Sequence, residues 1–114
     1  MDLDADGWLD VVVADGVFFE PLKILMNRGE DAGVWLGLEA ATDATPGIFP
    51  DAWTLAAGDL VGDGDPYPDL FVGVRNQNDR LLRNLGMDAG GAWLGFTDDS
   101  ARLGGNAATP AVRS

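Results

Sequence analysis

Asp2-Leu3-Asp4-Ala5-Asp6-Gly7-Trp8-Leu9-Asp10 reads D-x-D-x-D-G-x-x-D, and Val11-Val12-Val13 follows it directly. Carboxylates at alternating positions repel one another unless a cation sits among them. The glycine lets the backbone turn sharply, so that the acids converge on one point. Oxygen-only ligands at this density suit Ca²⁺, a hard cation that takes about six to eight oxygens. The valine run after the loop predicts a β-strand. An EF-hand would instead need a glutamate at loop position 12, where Val13 stands, and a helix on each side.

The same unit occurs twice. Leu9-Asp10-Val11-Val12-Val13 corresponds to Pro68-Asp69-Leu70-Phe71-Val72, and Leu25-Met26-Asn27-Arg28-Gly29 to Leu82-Arg83-Asn84-Leu85-Gly86. Trp35-Leu36-Gly37-Leu38 corresponds to Trp93-Leu94-Gly95-Phe96, and Ala52-Trp53 to Ala111-Val112. The order is kept and the offset stays between 57 and 59, which marks an internal repeat. Turn residues divide each unit into short strands. The first unit has predicted strands near 9–14, 21–27 and 34–41, with a fourth near 51–58. The second has them near 69–74, 79–84 and 92–97, with a last one near 108–113. Pro21 and Gly29 favour a strand over a helical turn for Leu22–Met26.

Four strands in a repeat of this length fit a β-propeller blade. The expected fold is therefore all-β, with about two four-stranded antiparallel blades, as a fragment or as part of an oligomeric ring. Residues 1–50 form a first repeat lacking its first strand, 51–107 a second, and 108–114 the start of a following blade. Two blades cannot close a ring, so other copies of the chain or adjacent blades are the expected partners.

Composition narrows the function. The 114 residues carry a net charge of −12, which argues against nucleic acid and anionic membrane surfaces as partners. Two bound Ca²⁺ would bring that charge to −8. Histidine and cysteine are both absent. This removes the commonest general base, the commonest transition-metal ligand and all disulfides. No apolar run has the length of a membrane span; if the protein is exported, its signal is expected outside these residues.

These features resemble the FG-GAP/VCBS repeats, the integrin-α-like propeller family. The resemblance is carried by Asp2–Asp10 with its valine run and by Ala57-Gly58-Asp59-Leu60-Val61-Gly62-Asp63-Gly64. Asp69-Leu70-Phe71-Val72-Gly73 and Asp79-Arg80-Leu81-Leu82-Arg83-Asn84-Leu85-Gly86 complete it. It implies a calcium-stabilised propeller, extracellular or at the cell surface, non-enzymatic, and used for adhesion, ligand binding or scaffolding.

In the first loop the expected Ca²⁺ ligands are the side chains of Asp2, Asp4, Asp6 and Asp10 and the backbone carbonyl of Trp8. The second loop departs from the pattern. Aligning Gly64 with Gly7 makes Asp59 and Asp63 its first and third acids, with Val61 at the middle one and two extra residues before Asp69. Aligning by spacing places Asp63, Asp65 and Asp69 opposite Asp4, Asp6 and Asp10. Neither register keeps every ligand, yet Asp59, Asp63, Asp65 and Asp69 place four carboxylates within eleven residues and form a candidate second Ca²⁺ site. For both loops the competing reading is an aspartate-rich turn without metal.

Trp35, Trp53 and Trp93 recur at repeat positions, which favours packing between blades over sugar stacking; Trp8 lies in the metal loop. The polar run Arg75–Arg80 reads as a hairpin loop. Asp98 and Asp99 could mimic a glycosidase acid pair, but neighbours along a strand point to opposite faces. Three functions compete: a calcium-stabilised binding or scaffold segment, a self-assembling two-blade chain, and a carbohydrate-binding accessory of a larger enzyme. Protein or carbohydrate is the ligand class that the third reading and the family resemblance allow.

Overall fold

The computed structural model describes residues 1–14, 22–41, 44–45, 52–62, 64–74 and 78–103. Strand β1 is Val11–Val13, β2 Lys23–Asn27, β3 Glu30–Asp31, β4 Val34–Trp35 and β5 Leu38–Ala40. They are followed by β6 (Ala52–Gly58), β7 (Asp69–Val74), β8 (Arg80–Asn84) and β9 (Phe96–Asp98). One 3₁₀ turn, Ser100–Arg102, is the sole helical element among the described residues. The chain is thus all-β, as expected.

Every strand pairing is antiparallel. The first sheet has the order β1-β2-β5, and the second is a four-stranded meander, β6-β7-β8-β9. A two-stranded hairpin, β3-β4, projects from the connection between β2 and β5. These are sheets of the β-propeller blade type. Strands β7 and β8, which flank the polar run, are antiparallel neighbours; residues 75–77 of that run, read as a hairpin loop, lie outside the described residues. The buried Asp79 accepts the Val74 amide at 2.9 Å and ties the end of β7 to the start of β8.

Two predicted strands are shorter and more divided than the pattern suggests. Over 34–41, Val34–Trp35 pairs back onto β3, whereas Leu38–Ala40 pairs with β2. Gly37, at φ 88°, turns the chain between them. Over 92–97, Trp93 makes only a single bridge to Met87, and the strand proper is Phe96–Asp98. Gly95 at φ 79° is the corresponding turn. Only glycine holds such angles without strain. The expected strand near 108–113 and the side chain of Trp53 lie outside the described residues.

One core spans both sheets. Leu3, Leu22 and Ile24 from the first unit pack with Leu70, Val72, Val74, Leu82 and Phe96 from the second. In β7 the residues Leu70, Val72 and Val74 share one face and point at the first blade, following the period of two along a strand. Leu3 is fully buried although it belongs to the acidic loop. It plugs the loop into the neighbouring blade.

A hydrogen-bond clasp recurs in both units. Asp10 accepts the Leu3 amide on Oδ2 and the Asn27 amide on Oδ1, both at 2.8 Å. Asp69 accepts the Leu60 amide on Oδ2 at 3.1 Å and the Asn84 amide on Oδ1 at 2.9 Å. The asparagine then reaches back. Asn27 Nδ2 donates to the Leu9 carbonyl and Asn84 Nδ2 to the Pro68 carbonyl, each at 3.0 Å. Its Oδ1 accepts a glycine amide two residues on, Gly29 or Gly86, and a tryptophan Nε1, Trp35 or Trp93. Asn84 makes one bond more: Nδ2 donates to the Leu3 carbonyl of the first unit at 2.8 Å.

Asn84 is buried, and its removal leaves several backbone and indole groups unpaired in the interior, each costing about 1–3 kcal/mol. Asn84→Ala is expected to lower the unfolding free energy by roughly 3 kcal/mol or more. Asn27→Ala, at the more exposed counterpart, should cost about 1 kcal/mol. Urea unfolding midpoints of the two variants check the ranking.

Candidate metal centre

The acidic loop folds on its own backbone amides. Asp2 accepts the Asp6 amide on Oδ1 at 3.1 Å and the Gly7 amide on Oδ2 at 2.8 Å. Asp6 accepts the Trp8 amide on Oδ1 at 2.8 Å. Such aspartate turns bend the chain without other support. The bend passes through left-handed geometry at Gly7, φ 92°, and also at Ala5, φ 59°. A non-glycine residue is unusual there and carries strain.

The result is convergence. Carboxylate oxygens of Asp2, Asp4 and Asp10 lie within 4.8 Å of one another. Opposite oxygens around one Ca²⁺ are about 4.6–5.2 Å apart, twice the usual bond length. The donors are all hard oxygens, so donor chemistry and spacing both fit that cation. Asp6, expected as a fourth carboxylate ligand, lies outside this trio; its Oδ1 holds the Trp8 amide. Asp10 serves two purposes, because its carboxylate contributes to the trio and also anchors Leu3 and Asn27.

The electrostatics record the crowding. The Asp4 carboxyl is pushed up to about 6, first by burial, then by its hydrogen bond with Asp6 and the negative charges of Asp6 and Asp10. Asp10 is raised as well, chiefly by burial, against the opposing bonds from the Asn27 and Leu3 amides.

The second loop keeps the scaffold and loses part of the trio. Asp59 accepts the Gly64 amide on Oδ2 at 3.1 Å, as Asp2 accepts that of Gly7. Asp65 accepts the Tyr67 amide on Oδ1 at 3.0 Å, as Asp6 accepts that of Trp8. The two sequence registers are therefore each right for half of the loop: the glycine register up to Gly64, and the spacing register from Asp65. The two extra residues are absorbed between those halves. Val61 occupies the position of Asp4, and its amide lies 3.4 Å from Asp69 Oδ2. Among the described residues no second group of three carboxylates converges. Asp63 lies outside the described residues.

The aromatic residue of each loop covers a glycine of the next hairpin. A Cβ on Gly29 would lie 2.8 Å from Trp8 Nε1, and one on Gly86 would lie 2.7 Å from Tyr67 Cε2. Glycine is required at both positions, which also have positive φ. Trp93 packs edge-to-face on Phe96 at 5.5 Å, a structural role. Asp98 and Asp99 do not act as a pair. Asp98 binds Arg80 at 2.8 Å, whereas Asp99 faces Arg102 at 2.9 Å and Arg83 at 3.7 Å. Sequence reasoning missed the asparagines of the clasp; their recurrence at offset 57, each two residues before a glycine, was the available signal.

Because folding raises the Asp4 carboxyl above its ordinary value of 3.8, the folded state holds that proton more tightly than the unfolded state. The stabilisation is complete below about 4 and is lost as pH rises through about 6. Metal-free protein is thus expected to melt at a higher temperature at pH 5 than at pH 7. Asp4→Asn should flatten that dependence. Thermal melts after chelator treatment check both.

A family model for the FG-GAP-like repeat matches residues 2–67. Comparison with curated proteins and with solved structures gives no match.

Proposed function

The chain belongs to the FG-GAP-like repeat family, and on that premise we propose that it is a calcium-clasped segment of a β-propeller with a binding or scaffold role. The observation that carries this reading is the convergence of Asp2, Asp4 and Asp10 at the mouth of β1. A bound Ca²⁺ would supply the positive charge that three crowded carboxylates lack. The chain's own part is to hold those oxygens in place. Asp2 fixes the bend through the Asp6 and Gly7 amides, and Asp10 ties the loop to the end of β2 through Asn27. Metal binding thereby locks the loop that carries Leu3 into the neighbouring blade.

FG-GAP-like repeats are typically non-catalytic modules, and the geometry supports the same role here. The chain contains no histidine or cysteine, and the described acids of its loops accept backbone amides. A second, weaker cation at Asp59, Asp63, Asp65 and Asp69 belongs to the same proposal. Val61 in place of the central acid reduces its ligand set and leaves more positions to water. FG-GAP-like repeats are commonly extracellular, which supports a reading of the module as one that works outside the cell or on its surface, with a protein or carbohydrate as the proposed ligand.

A ligand that binds only the folded state stabilises it by about 2.7 kcal/mol at a hundred times its Kd. For a domain of this size that is a rise in Tm on the order of 10 °C. Calcium added to chelator-treated protein should produce such a rise, and Asp4→Asn should remove most of it. Asp65→Ala should remove less. Equal melting temperatures in calcium and in chelator would end the calcium reading.

A further inference from the structure

Leu3 belongs to two structures at once. In the chain it stands between Asp2 and Asp4, two members of the carboxylate trio. In space it is held by the second unit. Its side chain is fully buried in the cluster that contains Leu70, Val72, Leu82 and Phe96. Its carbonyl accepts Asn84 Nδ2 at 2.8 Å, across a sequence separation of 81 residues. Its amide donates to Asp10 Oδ2, also at 2.8 Å, and Asp10 is the third member of the trio. Amide, carbonyl and side chain are thus all committed, two of them to the second unit and one to the trio.

Consecutive Cα atoms are held about 3.8 Å apart, so a displacement of Leu3 carries Asp2 and Asp4 with it. It also breaks the amide bond that orients Asp10. The loop therefore has two arrangements. In the docked one, Leu3 is in the core and the trio is closed. In the undocked one, Leu3 leaves the second unit and the trio disperses. Repulsion among the crowded acids favours undocking, whereas the burial of Leu3 and its bond from Asn84 favour docking. A cation that needs oxygens from all three acids binds the docked arrangement better, and such differential affinity is what shifts an equilibrium. The connection also continues past Leu3. The Asn84 amide donates to Asp69 Oδ1 at 2.9 Å, and Asp69 Oδ2 accepts the Leu60 amide at 3.1 Å. Trio, Leu3, Asn84, Asp69 and the second acidic loop form one contiguous network.

We propose that Leu3 is a latch that couples cation uptake in the first loop to the docking of the second unit. Calcium in the trio tightens the hold of the second unit on Leu3, and that hold raises the affinity of the trio for calcium. The two effects are equal by linkage. The coupling presupposes the calcium reading of that loop and adds to it a regulating partner within the chain. Leu82 and Asn84 are positioning residues here: they lie in β8, outside the acidic loop, and act on the trio through Leu3.

Calorimetric titration of wild type, Leu82→Ala and Leu81→Ala with calcium tests the latch. Neighbours on β8, the two leucines point to opposite faces. Leu82 shares the cluster of Leu3, whereas Leu81 is buried apart from it. Both truncations leave every aspartate in place. Leu82→Ala is expected to weaken calcium binding about fivefold or more, the lower end of typical couplings, and Leu81→Ala to bind as wild type does. Equal affinities for wild type and Leu82→Ala, or equal weakening by both substitutions, would overturn the latch and leave the calcium reading intact. A wild type that binds no calcium would end both. Truncating a core leucine can unfold a small domain, and in that case wild type carries the test alone. Its Asn84 Nδ2 hydrogens, followed by NMR, should exchange with solvent about fivefold faster in chelator than in calcium, while the Leu70–Val72 amides stay protected in both. Equal exchange in the two conditions, or a loss of protection that spreads to Leu70–Val72 in step with Asn84, would contradict it.

Discussion

A buried carboxylate that accepts backbone amides from both sides is the constraint on which each repeat depends. Asp10 holds Leu3 at the start of its loop and Asn27 at the end of the next strand. Asp69 does the same with Leu60 and Asn84. Bonds to an ionised acceptor are roughly twice as strong as neutral ones. They also oppose the desolvation that burying the acid costs. Without them the loop, the strand and the hairpin would have no shared anchor, and the loop's apolar residue would not reach the adjacent blade. Burial and charge are thus linked at one residue. Asp10 belongs to the carboxylate trio and also holds Leu3, the loop residue that enters the core.

The two units show which parts of this device are separable. The aspartate, asparagine, glycine and aromatic positions are matched bond for bond, with distances that agree within a few tenths of an ångström. The carboxylate trio is not matched among the described residues, because Val61 stands where Asp4 does. The clasp is therefore the scaffold, and the carboxylate cluster is an addition carried by one loop and reduced in the other. The strained Ala5 lies in the loop that has the full cluster, which places stored backbone strain beside the crowded charges.

Much of this was legible in the sequence. The period near 58, the strand-forming runs and the D-x-D-x-D-G-x-x-D loop identified an all-β blade pair, because alternation and turn chemistry are local properties. The division of 34–41 and 92–97 into two pieces was not legible. Gly37 and Gly95 signal it only once their left-handed geometry is known. The role of Asp69 was also hidden. A spacing argument sees another acid, whereas two of its three amide donors come from the loop after β6 and the third from the end of β8. Leu3 is the clearest case: an apolar residue between two aspartates reads as loop, yet the neighbouring blade buries it completely. No property of a single repeat encodes a contact that exists only between repeats.

The central claim is that the aspartate clasp, and not the acidic loop alone, holds each repeat to the fold. Amide hydrogen exchange at Leu3, Asn27 and Asn84 tests it most directly, since these N–H groups donate to Asp10 and Asp69. The account predicts protection at all three close to that of the Leu70–Val72 core, with exchange only through global unfolding. Exchange of the Leu3 and Asn27 amides at the rate of an open loop, with the β7 core still protected, would contradict it.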